Sequence, residues 1–180
     1  MSLGSVVVRA IWVMLPAYLP NNIAVLVGGG KPIDSGRKWC GKRILGDGKT
    51  WRGTIGGIMA GILLGLFQNQ MHNLLDVSLI QLPKLPLIVT ITLPTGAMLG
   101  DIVASFIKRL LGKDRGESFL LIDQLDFVIG SLLFTGIIVP NWFGKIFTFE
   151  ILLTVVIITP LLHLSTNLIA YLLNLKQEPY

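Results

Sequence analysis

Residues 100–109 read Gly100-Asp101-Ile102-Val103-Ala104-Ser105-Phe106-Ile107-Lys108-Arg109, and beyond a short connection holding Lys113, Asp114 and Arg115, residues 122–127 read Ile122-Asp123-Gln124-Leu125-Asp126-Phe127. Asp101, Asp123 and Asp126 thus stand with four cations, Lys108, Arg109, Lys113 and Arg115, at the end of one apolar segment and the start of the next. In a helix, Asp101, Ser105, Lys108 and Gly112, spaced by four, three and four, share one face, and so do Asp123 and Asp126, three apart. Carboxylates converging beside cations suit a divalent ion, here Mg²⁺, held for phosphate chemistry. The plain alternative is a set of loop charges at a membrane interface.

Working outward, the whole 180-residue chain is 52% hydrophobic and only 14% charged, with a mean hydropathy of +0.72. Soluble domains carry about 25% charged residues, so the composition predicts a single all-α domain, residues 1–180, embedded in a membrane. One cysteine, Cys40, excludes an internal disulfide, and with only His72 and His163 beside it offers no zinc site. The formal charge of +5 reads as cytoplasmic loops and anionic ligands rather than nucleic acid.

Five apolar segments follow in order. Residues 6–27 predict a retained helix kinked by Pro16 and Pro20, with Asn21 and Asn22 deep in it; hydrogen bonding between helices is one role for these amides and ligand contact the other, which keeps Asn22 among the candidate binding residues. Residues 28–53 form a polar loop with seven cations against Asp34 and Asp47. Arg37, Lys38, Lys42 and Arg43 are accounted for by the excess of positive charge on cytoplasmic loops. Lys49 and Arg52 differ, because a Gly-rich turn directly before a helix cradles phosphate through backbone amides and side-chain charge together. Gly48-Lys49-Thr50 is not a Walker A loop, since Arg43 stands where that motif needs Gly.

The second helix, 54–75, carries Gly53, Gly57, Gly61 and Gly65 at strict intervals of four, a helix-packing seam that could also serve a homodimer. The third spans 87–111 with Pro94 inside it. The fourth runs from Asp123 to Pro140, and the fifth from Ile146 to Leu173, kinked near Pro160. With five spans, twelve of the lysines and arginines fall on the side of the 28–53 loop, the 107–122 loop and the C-terminus, and Arg9, Lys84 and Lys145 on the other. This predicts the N-terminus outside and both polar loops in the cytoplasm.

These residues carry a resemblance. Gly100, Asp101, Ser105, Lys108, Arg109, Lys113, Asp114, Asp123 and Asp126 resemble the signature of the CTP-dependent phosphatidate cytidylyltransferases, with Gln124 where that family has Arg. The short length, with Gly28-Gly29-Gly30-Lys31-Pro32-Ile33-Asp34 and Gly46-Asp47-Gly48-Lys49-Thr50-Trp51-Arg52-Gly53, is similar to the archaeal branch, the CDP-archaeol synthases. The resemblance implies a membrane enzyme moving CMP from CTP to a phosphorylated isoprenoid ether lipid with release of pyrophosphate. It implies Mg²⁺ on Asp101, Asp123 and Asp126, with Lys108 beside them in catalysis, and Lys49, Thr50, Arg52, Ser105, Arg109, Lys113 and Arg115 on the triphosphate and lipid phosphate. A lipid phosphate is already an anionic nucleophile, so no dedicated general base is expected. Two other readings stay open. One is a synthase acting on phosphatidate; the other is a small Mg²⁺ or proton transporter, whose charges would lie near midspan rather than gathered at one face.

Overall fold

The computed structural model describes residues 2–39, 41–75, 81–112 and 122–172. Among them are six helices: α1 (Leu3–Val27), α2 (Trp51–Leu75), α3 (Leu87–Leu110), α4 (Ile122–Ile138), α5 (Pro140–Ile146) and α6 (Phe149–Leu172). A two-residue hairpin, β1 (Lys38–Trp39) and β2 (Lys42–Arg43), pairs Lys38 with Arg43 and Trp39 with Lys42. Cys40 and the loop residues Lys113, Asp114 and Arg115 lie outside the described residues, as do the side chains of Asp123 and His163.

α1 begins at Ser2, whose hydroxyl accepts the Ser5 N–H at 3.3 Å as an N-cap. Pro16 and Pro20 lie inside the helix, and each lacks the N–H that would satisfy the carbonyl four residues back. The Trp12 carbonyl freed by Pro16 accepts the buried Gln68 amide of α2 at 2.7 Å. The Pro16 carbonyl freed by Pro20 faces Gly61, where an added Cβ would stand 2.6 Å away.

The same close approach recurs along α2. A Cβ on Gly53 would lie 2.9 Å from the Ala24 carbonyl, one on Gly57 2.6 Å from that of Pro20, and one on Gly65 2.9 Å from Thr90 of α3. Gly53, Gly57 and Gly61 therefore meet α1 carbonyls that also recur every fourth residue, and backbone rests on backbone. The seam is taken up within the chain, so this glycine strip is not free for a second copy. The opposite face of α2 exposes Ile55, Met59, Leu63 and Phe67.

α3 and α4 pack the same way: Gly96 and Gly100 on α3 meet the backbone of Asp126, Gly130 and Ser131 on α4. The Ser131 hydroxyl donates to the Leu93 carbonyl at 2.9 Å, close to Pro94. Val13, Met14 and Ala17 of α1, Val89, Leu93 and Ala97 of α3, Val128 of α4 and Val155 of α6 fill the core. His72 and Asn69 bind the carbonyls of Leu82 and Leu85, tying the α2–α3 connection to α2.

One expectation about the elements changes. Pro140 does not close α4; it opens α5, occupying the first helical turn where its missing N–H costs nothing. α5 then meets α6 at a bend of 79°. By length and hydropathy α1 and α3 are able to cross a membrane, and α5 with α6 would make a third, bent span.

Candidate active site

Asp34 organises the polar loop. Its carboxylate, 1% exposed, accepts the N–H groups of Gly36 (3.1 Å), Leu45 (3.1 Å) and Gly46 (3.2 Å) and a two-pronged bond from Arg43 (2.7 and 3.1 Å). Arg43 also donates to Asp47 at 2.6 Å. The Arg43 guanidinium, and then these backbone N–H groups, hold the Asp34 carboxyl far below the usual carboxylate range although burial works against it, and the two carboxylates raise Arg43 in turn. Arg43, attributed from sequence to topology alone, is thus the centre of an ion-pair network. The signal available was an acidic residue in a loop of glycines, Gly36 and Gly46, which supply turn amides.

A second set of bonds pins the loop to the start of α2. Ile33 N–H donates to the Lys49 carbonyl at 2.9 Å, Trp51 N–H to Lys31 at 3.2 Å, and Pro32 bridges Thr50. Thr50, expected on phosphate, caps α2 instead: its hydroxyl accepts the Gly53 N–H at 3.1 Å and the side chain is buried. The helix needs an acceptor for its unpaired N–H groups, and this threonine supplies it. Asn22, expected on the ligand, donates to the Tyr18 carbonyl one turn back at 3.3 Å, an exposed bond within its own helix.

So held, Lys49 reaches α3 and forms an ion pair with Asp101 across 52 positions of sequence. The Lys49 and Asp101 side chains are 24% and 18% exposed, between core and open water. Next to Asp101, Gly100 lies directly against the Asp126 backbone. The Asp126 carboxylate accepts the Phe127 N–H at 2.6 Å. The loop, α3 and α4 therefore meet at one place. Ser105 is buried on α3 and Lys108 half-buried, while the Arg109 guanidinium packs 3.8 Å from the position a Gly46 Cβ would take. Arg52, on the first turn of α2, is exposed, as are Arg37 and Lys38.

From Asp126 and Gly100 an apolar groove of about 470 Å³ runs between α3 and α4. Its walls include Val103, Ile107, Ile129, Leu133 and Ile137, all exposed on the outer surface. Asp126 thus lines an apolar groove open to the side.

Among the described residues no three His, Cys, Asp or Glu side chains converge. Mg²⁺ is commonly held by one or two carboxylates and completed by substrate phosphates and water. Asp101 and Asp126, hard oxygen donors on helices whose backbones touch, fit that requirement, and Asp101 already answers a cation in Lys49.

A helical bundle in which an ion pair joins the polar loop to α3 and an apolar groove opens to the side between α3 and α4 suits a membrane-embedded enzyme acting on a lipid. The sequence model of the CarS-like family, described as CDP-archaeol synthase, matches residues 3–180. The CDP-archaeol synthase of Halobacterium salinarum is 51% identical over 181 residues, covering all of both chains. That of Archaeoglobus fulgidus is 48% identical, covering 97% of this chain and 98% of its own, and that of Methanosarcina barkeri 49%, covering 93% and 100%. A solved structure of an intramembrane enzyme for archaeal membrane lipid biosynthesis superposes with a TM-score of 0.75 at 33% identity, covering 89% of this chain and 94% of that one. The chain belongs to the CDP-archaeol synthase family.

Proposed function

We propose that the chain transfers CMP from CTP to an ether-linked isoprenoid glycerol phosphate of the 2,3-bis-O-geranylgeranyl-glycerol 1-phosphate type, giving CDP-archaeol and pyrophosphate. The observation that carries this reading is the Lys49–Asp101 ion pair, next in sequence to Gly100, which lies against the Asp126 backbone and lines the α3–α4 groove. The lipid tail enters the groove from the bilayer, and its phosphate stops at the charged end. A phosphate oxygen of the lipid attacks the α-phosphorus of CTP, the bond between α- and β-phosphates breaks, and the electron pair leaves with pyrophosphate.

Lys49 brings positive charge to the triphosphate, with Arg52 and Arg109 beside it and Lys113 and Arg115 completing the set; Lys108 and Ser105 serve the phosphates from α3. Fixed charges of this kind stabilise a transition state that spreads negative charge, without reorganising as the reaction proceeds. Mg²⁺, when bound, would be held by Asp101 and Asp126, with Asp123, and would neutralise phosphate charge. The membrane arrangement in this reading has five spans, α1, α2, α3, α4 and the bent pair α5–α6, with the N-terminus outside and the site cytoplasmic, where CTP is found.

Purified protein with Mg²⁺ and CTP is expected to release pyrophosphate on addition of the geranylgeranyl ether phosphate, and much less with phosphatidate or without lipid. Equal rates with ester and ether lipids would remove the ether preference; no pyrophosphate with either would remove the reaction.

A further inference from the structure

One flank of the polar loop faces the start of α2 rather than α3. There the loop and the first turn of α2 form a cavity of about 340 Å³, lined by Ile33, Ser35, Arg37, Leu45 and Trp51 together with Asp34. α3 contributes nothing to it, and none of these residues lines the α3–α4 groove. Ser35 and Arg37 are exposed, and Trp51 is 52% exposed.

The charge in this cavity is one-sided. Asp34 answers Arg43 and three backbone N–H groups, so its negative charge is satisfied inside the loop. The Arg37 backbone is pinned at both ends: its N–H donates to the Asp34 carbonyl at 2.9 Å, and its carbonyl accepts the Ile44 N–H at 3.1 Å. A cation is therefore carried on a fixed turn, with Lys38 exposed next to it.

An apolar strip leads away from the same cavity. Trp51, Ile55, Met59, Leu63 and Phe67 recur every fourth residue of α2 and all are exposed, on the face opposite the glycine seam. At 1.5 Å per residue the strip is about 24 Å long. In the membrane arrangement proposed above it runs through hydrocarbon, and Trp51 stands at the cytoplasmic interface, the depth at which tryptophan is enriched.

A fixed cation beside a cavity, with an apolar strip running from it into the bilayer, matches a molecule that has an anionic head and a hydrocarbon tail. Free phosphate would leave Trp51 and the strip unused, and hydrocarbon alone would leave Arg37 unused. A guanidinium forks onto phosphate oxygens, and basic residues at a membrane surface draw anionic lipids to it. We propose that this cavity is the headgroup site of a second lipid, an anionic phospholipid of the bilayer distinct from the substrate, with its phosphate on Arg37 and a chain along Trp51, Ile55 and Met59. The site rests on the membrane arrangement and not on the transfer reaction.

Native mass spectrometry from a mild detergent reads the retained lipid and the number of chains together. The wild-type protein, Arg37→Gln and Trp51→Ala are titrated with phosphatidylglycerol, with phosphatidylcholine of the same chains, and with phosphatidylglycerol in excess inorganic phosphate. The choline ammonium would face Arg37 and Lys38, so the wild type is expected to retain one phosphatidylglycerol per chain at roughly a tenth of the concentration that phosphatidylcholine needs, the scale of one charge-assisted bond. Inorganic phosphate should not displace it. Arg37→Gln should lose the preference while releasing pyrophosphate from CTP at the wild-type rate in detergent, and Trp51→Ala should retain both lipids less well. Equal retention of the two lipids by the wild type, or a preference that survives Arg37→Gln, would overturn the site. Displacement by inorganic phosphate would also overturn it, marking an anion site without a lipid, and so would a wild-type dimer that retains no lipid, which would put a second chain on the α2 strip. A wild-type protein that keeps the preference but releases no pyrophosphate would overturn the transfer reaction and leave the lipid site standing.

Discussion

Lys49 and Asp101 form an ion pair that joins the polar loop to a helix, and their environment decides their worth: partly covered from water, they are screened less than surface charges. Asp101→Asn is expected to cut kcat/KM on the order of 10²–10³-fold, the scale seen when a fixed charge partner is removed from a transition state; in detergent the protein should still elute as a folded species, because the two side chains have the same size. Lys49→Ala should raise KM for CTP far more than KM for lipid, roughly ten- to a hundredfold for a lost charge-assisted bond of about 1.5–3 kcal/mol, whereas Arg37→Ala and Lys38→Ala, both exposed, should change little. Asp34 gives a pH prediction. Its folded pKa lies below the unfolded value, so its stabilisation of the loop is complete above the ordinary carboxylate value of about 4 and is lost only as pH falls through the lower folded value. Limited proteolysis at Arg37 and Lys38 should therefore be unchanged between pH 8 and pH 5 in the wild type, but rapid across the whole range in Asp34→Asn. Wild-type cleavage that accelerates by pH 5 would contradict the assignment.

At the scale of elements, the glycine seam of α2 was legible in the sequence because its period of four is a helical period and nothing else in the segment explains it. What it packs against was not, since the matching feature on α1 is a row of carbonyls, and prolines at 16 and 20 mark it only once the partner helix is known. Thr50 shows a related limit: a threonine before a helix is equally a cap and a phosphate ligand until its hydroxyl is seen on the Gly53 N–H. Gly61→Val places atoms against Pro16 and Pro94 and is expected to destabilise by about 1–3 kcal/mol or more, as overpacking does. Gly144→Ala on α5, where an added Cβ meets nothing within 4 Å, should leave thermal stability in detergent unchanged or slightly raised. Equal losses for both substitutions would show that the seam is not a close backbone contact.

For the molecule as a whole, the charge cluster at 100–127 and the apolar runs around it were enough to read a membrane protein. The union of loop and helix, Lys49 with Asp101, was not readable from spacing, because residues 52 apart meet only through the fold of the intervening seam. The orientation can be checked in a Cys40→Ser background carrying Lys38→Cys: a membrane-impermeant thiol reagent should label it in inverted vesicles and not in right-side-out ones, and the reverse result would turn the topology over. The reaction itself is tested most directly by following phosphorus. CTP labelled at the α-phosphate, incubated with purified protein, Mg²⁺ and the geranylgeranyl ether phosphate, should deliver its label to the organic phase as a CMP-bearing lipid, whereas CTP labelled at the γ-phosphate should leave all of it in water as pyrophosphate. Label from the γ-position in the lipid, or α-label that stays in water while CTP is consumed, would contradict cytidylyl transfer at this site.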